Sequence, residues 1–275
     1  MASNGAIALI GCGRLGSAIV EGWLATGAVD PKRLIIVSPS DKPATEAARA
    51  VGARINPPLS DLADVSAVVL GVKPAKWREA SAPLLQTLSE AATVVSVMAG
   101  VRSASLSELF GDRSVVRVMP TTGVATGQGV AAVWSATAGA RAVAHDLFQS
   151  LADVVDLDEE GQMDIATAVA GSGPAYVHAF TRALAAGGQA AGLDEASALR
   201  LARGAVRSAA SAGSNETLEA LIARVASPGG TTEAGLRALN TGGALDRAVG
   251  PAVAAALKRA RELAGDQPSG DDVGR

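Results

Sequence analysis

The chain has 275 residues, of which 48% are hydrophobic and 3% aromatic, a length that suits two modest domains. Its net charge of −3 comes from scattered charges, which argues against nucleic acid or an anionic membrane as a partner. No apolar run reaches about 18 residues, and no basic and apolar leader opens the chain, so we expect a cytoplasmic protein. One cysteine, Cys12, and two histidines exclude an internal disulfide and a cysteine-cluster or multi-histidine metal site.

The first part of the chain alternates short apolar runs with helix-like segments. The predicted strands are Ala6–Ile10, Leu34–Val37, Ala67–Val72, Thr93–Val97, Val115–Met119, Val130–Val133 and Val154–Leu157. The predicted helices between them are Leu15–Thr26, Ala44–Val51, Lys76–Glu90, Ser105–Phe110 and Ala138–Leu151. Near-continuous Val, Leu and Ile in several strands are typical of parallel strands buried on both faces. The pattern predicts an α/β fold with a Rossmann-type doubly wound sheet.

Strand signals stop after Glu159, and the rest of the chain reads as helices. The predicted helices are Met163–Val169, Ala175–Ala191, Glu195–Ala212, Leu218–Val225, Thr232–Leu239 and Leu245–Ala264. We therefore expect a dinucleotide-binding domain at 1–160, a helical domain at 161–264 and a disordered tail at 265–275. Small residues crowd the segment Ala183–Gly192, which indicates close helix packing either within the chain or at a subunit interface.

The turn after the first strand reads Gly11-Cys12-Gly13-Arg14-Leu15-Gly16, and a helix follows at once. In this context Gly11 permits a tight turn, Gly13 lets the backbone approach a pyrophosphate, and Gly16 lets helix and sheet pack closely. With Arg14 and Leu15 opening the helix, the segment predicts a dinucleotide site. The alternative is a structural turn in an α/β domain that binds something else.

The end of the second strand favours NADPH, with NADH as a second donor. Ser38 stands where an NAD site usually carries Asp or Glu, so no charge repels a 2′-phosphate. Ser40 and Lys42 are candidate phosphate ligands, whereas Asp41 argues for NADH.

Two further strand ends should border the cofactor, since ligands of such sheets bind beyond the carboxyl ends of strands. They carry Val72-Lys73-Pro74 and Ala99-Gly100. Lys73 is a candidate neighbour of the ribose or nicotinamide, or a solvated loop lysine.

Two glycine-rich segments precede helices in the second half. They read Gly171-Ser172-Gly173 and Ser227-Pro228-Gly229-Gly230-Thr231-Thr232. Thr231 or Thr232 can cap the following helix, whose N-terminal amides favour an anion. The alternative reading treats the hydroxyls as helix caps only.

The glycine turn followed by these two helix starts resembles the pyrroline-5-carboxylate reductase family, over about residues 6 to 260. The resemblance implies reduction of 1-pyrroline-5-carboxylate to L-proline with NAD(P)H, the last step of proline synthesis. It also implies a helical dimerisation domain, an interlocked homodimer whose active sites use both chains, and assembly of dimers into larger rings.

The residues are compatible with this chemistry. The substrate is a small cyclic imine with a carboxylate, which Ser172, Thr231 and Thr232 can anchor together with the backbone at Gly171, Gly173, Gly229 and Gly230. A protonated imine is already electrophilic, so no strong protein acid is needed, and the nicotinamide supplies the hydride.

The chain also departs from the family pattern. The family commonly reads Met-Pro-Asn-Thr-Pro where this chain has Met119-Pro120-Thr121-Thr122-Gly123, so Thr121 replaces an asparagine placed by the nicotinamide. Ala179 stands where some members have a threonine proposed as proton donor. A reductase of another cyclic imine or of a small hydroxyacid stays open, although the segment Gly173–Phe180 has no lysine to serve as the base of hydroxyacid oxidation. A non-catalytic NADP(H)-sensing protein is the other alternative.

Overall fold

A computed structural model describes residues 5–211 and 216–265. They form two compact units. The first holds the described residues up to Gly171 together with those from Leu257 onward, and the second is Ser172–Ala256. Most of the predicted disordered tail, from residue 266 on, lies outside the described residues.

The first unit is built on an eight-stranded sheet. Its strands are β1 Ala6–Ile10, β2 Leu34–Val37, β3 Arg54–Ile55, β4 Val65–Leu70, β5 Thr93–Ser96, β6 Val115–Pro120, β7 Gly129–Trp134 and β8 Ala152–Asp156. The order is β3-β2-β1-β4-β5-β6-β7-β8, and every pair is parallel except β6 with β7. The Rossmann-type sheet is confirmed. The strand order reverses direction between β1 and β4, where a doubly wound sheet has its ligand crevice.

Helices cover both faces of this sheet. They are α1 Arg14–Thr26, α2 Pro43–Ala50, α3 Trp77–Ser81, α4 Ser103–Phe110, α5 Ala138–Phe148 and α6 Gln162–Ala166. The predicted helix over 76–90 is wrong, because short 3-10 turns at Pro74–Lys76 and Ala82–Leu84 flank α3. Pro83 explains the break, since its ring cannot continue an α-helix. Strand β3 was not predicted, because two residues are too few to show a period.

The core lies on both sides of the sheet. Trp23 and Phe148 are fully buried on one face, and Leu106 and Phe110 are fully buried on the other. The indole Nε1 of Trp23 donates to the carbonyl of Leu147 at 2.9 Å, so α1 and α5 are tied together beneath the sheet. Two covered faces explain why the strands are apolar almost throughout.

The second unit is helical, as predicted. Its helices are α7 Gly173–Ala190, α8 Glu195–Ala210, α9 Leu218–Val225, α10 Thr231–Leu239 and the first part of α11 Ala244–Ala264. The small-residue segment packs within the chain at one point, since a Cβ on Gly188 would lie 3.5 Å from the Cβ of Ala198 on α8. Among the described residues, no helix is both long and apolar enough to cross a membrane.

The second unit buries few of its own apolar side chains. Its buried hydrophobic cluster consists of Ala185, Ala198 and Ala202. On α9, by contrast, Leu218, Ile222 and Val225 are 73%, 50% and 70% exposed and share one face at helical spacing. An apolar stripe of this kind indicates a protein partner.

Candidate cofactor and substrate sites

The turn between β1 and α1 requires glycine at two positions. Gly11 has a φ of +95°, and a Cβ there would lie 2.7 Å from the Cγ1 of Val72 at the end of β4. A Cβ on Gly16 would lie 2.4 Å from the carbonyl oxygen of Gly11. Both distances are below any real contact of a Cβ, so α1 approaches the sheet as closely as the dinucleotide pattern predicts.

Gly13 differs, because a Cβ there would meet no protein atom within 4 Å. It is the N-cap of α1, and no side chain caps this helix end. The backbone beside Arg14 and Leu15 is therefore open toward the crevice between β1 and β4, where helix N-terminal amides favour a phosphate. The open cradle fits the pyrophosphate of a dinucleotide.

The loop after β2 is fixed by a residue that the sequence reasoning missed. Ser38 is 5% exposed, and its hydroxyl donates to the carbonyl of Ser40 at 3.0 Å. Asn56 accepts from the backbone N–H of Ser38 at 2.8 Å and donates to its carbonyl at 2.9 Å. Asn56 has a φ of +48°, a conformation in which Asn is enriched. Ser38 thus shapes the loop, and its contact with a cofactor stays a prediction.

The charges of this loop favour an anion more than the sequence indicated. Asp41 pairs with Arg49 at 2.9 Å, so its carboxylate already has a cationic partner. Lys42 is exposed, and its ammonium has no partner among the described residues. In the glycine turn, burial raises the pKa of the Cys12 thiol, which the hydrogen bond with Ser17 lowers in part.

The two other strand ends lie along the same edge of the sheet. Val72 packs against Gly11, while Lys73 is exposed and precedes the 3-10 turn that begins at Pro74. After β5, Gly100 has a φ of +75°, and a Cβ there would lie 3.1 Å from the backbone of Leu263 near the end of α11. The loop at Ala99 and Gly100 is thus supported by α11.

Thr121 lies directly after β6 and is 9% exposed. Its backbone N–H donates to the carbonyl of Val130 at 2.9 Å, and its hydroxyl oxygen accepts from the N–H of Val130 at 3.1 Å. The strand β7 therefore fixes the side chain, whose hydroxyl proton remains available as a donor.

The segment Gly171-Ser172-Gly173 differs from the predicted glycine-rich loop. A π-helical turn at Thr167–Gly171 connects α6 to α7, so the chain stays helical from Gln162 to Ala190 apart from this widened turn. Ser172 makes no capping bond to α7. Single π-helical turns occur frequently at functional sites, so the segment keeps its place as a candidate substrate site.

A β-turn precedes α10. The N–H of Gly230 donates to the carbonyl of Ser227 at 2.9 Å, and Gly229 has a φ of +72°. Pro228 and Gly229 stand at the central positions that a type II turn prefers. A Cβ on Gly230 would lie 2.5 Å from the Oγ of Ser227 and 3.0 Å from its carbonyl oxygen, so Gly230 lies close against the start of the turn.

The prediction that Thr231 or Thr232 caps α10 is wrong. The helix begins at Thr231 with Gly230 as its N-cap, and no side chain makes a capping bond there. Instead the carboxylate of Glu233, a residue that the sequence reasoning missed, accepts from the N–H of Gly229 at 2.6 Å. In the part of the chain that the structure describes, neither threonine hydroxyl has a hydrogen-bond partner, so both are available to a ligand.

Among residues 5–211 and 216–265, no group of three or more His, Cys, Asp or Glu side chains could hold a metal ion.

Comparison with known proteins gives matches to both halves of the chain. Residues 160–263 match the family model described as pyrroline-5-carboxylate reductase dimerisation, and residues 6–100 match that of NADP oxidoreductase, coenzyme F420-dependent. A pyrroline-5-carboxylate reductase of Arabidopsis thaliana is 34% identical over 94% of this chain and 95% of its own length.

Two solved structures are similar over almost the whole chain. A pyrroline-5-carboxylate reductase from Coxiella burnetii has a TM-score of 0.86 and 26% identity, covering 95% of this chain and 99% of its own. The Plasmodium falciparum pyrroline carboxylate reductase with NADP bound has a TM-score of 0.80 and 25% identity, covering 96% and 100%. Because sequence identity and fold agree over the full length, this chain belongs to the pyrroline-5-carboxylate reductase family.

Proposed function

We propose that this protein reduces 1-pyrroline-5-carboxylate to L-proline with NADPH. The observation that carries the proposal is the start of α10, where Thr231 and Thr232 present hydroxyls, with no hydrogen-bond partner in the described part of the chain, beside helix N-terminal amides. A small anion is the ligand such a helix start favours. The family membership of the chain makes the imine carboxylate the anion expected there.

NADPH supplies the hydride that reduces the imine carbon. The open backbone at Gly13 receives its pyrophosphate, and Gly11 and Gly16 let α1 come close enough for the helix amides to face it. Lys42 provides a positive charge for the 2′-phosphate, since Asp41 is engaged by Arg49. Ser40, Lys73, Pro74, Ala99 and Gly100 are proposed neighbours of the remainder of the cofactor.

The carboxylate anchor requires no basic side chain. Hydroxyls of Thr231 and Thr232, the hydroxyl of Ser172 and backbone N–H groups around Gly173 can each donate to a carboxylate oxygen. Glu233 limits this anchor, because its carboxylate occupies the N–H of Gly229. The anchor is therefore proposed on Thr231 and Thr232 rather than on the backbone of Gly229.

Proton supply places little demand on the protein. A protonated imine is electrophilic before the hydride arrives, and the amine product needs no leaving-group acid. Thr121 offers a hydroxyl proton at the end of β6 as a hydrogen-bond donor to the nicotinamide ring. Its proposed role is to orient the ring.

The dimerisation family model supports a homo-oligomer. We propose a homodimer in which one active centre uses residues of both chains, and further assembly of dimers. The cytoplasmic location remains an expectation.

The experiment that tests the activity uses purified protein with 1-pyrroline-5-carboxylate and NADPH, following absorbance of the reduced cofactor and formation of proline. Small hydroxyacids with NADP⁺ form the comparison arm. Cofactor binding without turnover of any of these substrates would favour the NADP(H)-sensing alternative.

A further inference from the structure

Five side chains form a partly buried ion-pair network in the first unit: Arg102, Ser103, Arg117, Glu160 and Asp164. Oε1 of Glu160 accepts from Nη1 of Arg117 at 2.9 Å and from the N–H of Ser103 at 2.6 Å, while its Oε2 accepts from the hydroxyl of Ser103 at 2.7 Å. Oδ2 of Asp164 accepts from Nη2 of Arg102 at 2.7 Å.

The network is costly to bury. The side chains of Arg117 and Asp164 are 3% and 4% exposed, and the Nε of Arg117 has no partner among the described atoms. Burial lowers the pKa of Arg117 from its ordinary value, although Glu160 acts in the opposite direction. Burial of an ion pair is weak evidence for stability, because desolvation can exceed the attraction between the charges. The position of the network in the fold indicates a role other than stabilisation.

The network joins three segments that each lead into a predicted site. Arg102 ends the loop that follows Gly100, and Ser103 opens α4; Arg117 lies on β6, which ends beside Thr121. The two carboxylates flank the start of α6, whose π-helical continuation ends at Gly171.

Packing supports the same connection. Met163 of α6 is buried with Met119 of β6 and Ala132 of β7. A Cβ on Gly171 would lie 4.0 Å from the Sδ of Met119, two residues before Thr121. The network therefore lies next to α6, whose helical continuation brings Gly171 close to the end of β6.

We propose that Glu160 and Asp164 are positioning residues for catalysis: their ion pairs with Arg117 and Arg102 hold the segment 167–171 against the carboxyl end of β6. The proposal rests on the assignment of Ser172, the next residue along the chain, to the substrate site. Each carboxylate pairs with one arginine, Asp164 from within α6 and Glu160 from just before it.

The test uses the near-isosteric variants Glu160→Gln and Asp164→Asn in the full-length protein. Amide hydrogen exchange of residues 167–171 should speed up by about tenfold in each, because opening of that segment no longer breaks a charge-assisted bond. Exchange within α5 should not change. At saturating NADPH, kcat/KM for 1-pyrroline-5-carboxylate should fall by about tenfold or more, since small misplacements of a substrate anchor are costly.

Two controls separate positioning from general stability. Glu108 lies on α4, the same helix as Ser103, and forms an exposed ion pair with Arg78. Glu108→Gln removes that pair and should change neither the hydrogen exchange nor kcat/KM. Phe148→Leu should lower the melting temperature through the core while leaving kcat/KM of the folded enzyme unchanged. In the double variant Arg102→Gln/Asp164→Asn the loss should be no larger than in Asp164→Asn alone, because the two residues act as one pair.

Unchanged exchange in 167–171, or faster exchange with unchanged kcat/KM, would overturn the proposal. If the unmodified protein turns over no imine, the proposed function fails instead. Hydrogen exchange then decides by itself whether the network holds the segment 167–171.

Discussion

The carboxylate of Glu233 accepts a hydrogen bond from the backbone N–H of Gly229 at 2.6 Å, which closes the turn in front of α10. The helix begins at Thr231 without a side-chain cap, and the hydroxyls of Thr231 and Thr232 make no intramolecular hydrogen bond within the described residues. Substitution of Thr231 and Thr232 can therefore test directly whether these hydroxyls bind a ligand or only stabilise the helix.

Thr231→Ala or Thr232→Ala should raise the KM for 1-pyrroline-5-carboxylate about tenfold in at least one case, since a charge-assisted hydrogen bond contributes roughly 1.5–3 kcal/mol. The affinity for NADPH and the melting temperature should change little. Ser172→Ala should raise the same KM. Steady-state kinetics and thermal unfolding on the same preparations measure both effects.

Thr217→Ala is the matched control for these variants. The hydroxyl of Thr217 accepts from the N–H of Ala220 at 3.2 Å and caps α9. Its loss should cost about 1 kcal/mol of stability without changing the KM of the folded enzyme. Lower stability with an unchanged KM in both α10 variants would remove the proposed carboxylate site.

Gly13→Ala and Gly16→Ala should separate cofactor binding from folding. The new methyl at position 13 enters open space, so the variant should fold normally yet bind NADPH about tenfold more weakly, a loss of about 1.4 kcal/mol. The methyl at position 16 meets the Gly11 carbonyl at 2.4 Å and should destabilise the fold by about 1–3 kcal/mol. Fluorescence titration and denaturant unfolding give the two quantities. A Gly13→Ala protein with unchanged NADPH affinity would contradict the assignment of the cradle.

NADPH should be preferred over NADH, and Lys42→Ala should selectively reduce kcat/KM with NADPH. Lys32→Ala removes the same charge before β2 begins, at the opposite end of that strand, and should affect neither cofactor. The measurement is kcat/KM with each cofactor at saturating imine. A tenfold preference for NADH in the unmodified enzyme, which corresponds to about 1.4 kcal/mol, would contradict the proposed preference for NADPH.

Ile222→Asp should dissociate the homo-oligomer, because it places a charge in the apolar stripe of α9 formed with Leu218 and Val225. Light scattering after size-exclusion chromatography should show no stable monomer of the unmodified chain at micromolar concentration. Val51→Asp, which alters an exposed apolar residue after α2, is the control and should leave the assembly intact. An active monomer of the unmodified protein would contradict a site shared by two chains.

Stability should also fall with acidification through the ion-pair network. Burial raises the pKa of Glu160, but hydrogen bonds from Ser103 and Arg117 outweigh it, so the folded-state pKa lies below its ordinary value. A depressed carboxyl pKa contributes stability that is present above the unfolded-state pKa and is lost as pH falls through the folded-state pKa. Denaturant unfolding at pH 7 and below pH 4 should show a smaller acid loss in Glu160→Gln than in the unmodified protein. An equal acid loss would argue that Glu160 does not titrate as described.

Local patterns in the sequence predict the features that local geometry decides. The turn at Gly11–Gly16 was predicted because a strand, a tight turn and a helix start follow one another within a few residues. The helix bounds of α9 were predicted without error, because its apolar residues recur at helical spacing. The helix break at Pro83 is also a local feature, but the predicted helix over 76–90 did not take it into account.

Features that depend on tertiary contacts could not be predicted in this way. Asn56 fixes Ser38 only because β3 brings it beside the end of β2. Glu233 bonds the N–H of Gly229 only because the turn at Pro228 and Gly229 directs that N–H toward α10. Arg117 meets Glu160 only once β6 is in the sheet, so no spacing in the sequence indicates their pair.

The most direct test of the account is the turnover of 1-pyrroline-5-carboxylate by the purified protein with NADPH. The account predicts loss of NADPH absorbance with formation of one L-proline per NADPH oxidised. Absence of proline while NADPH still binds, or faster oxidation of a hydroxyacid with NADP⁺, would contradict it.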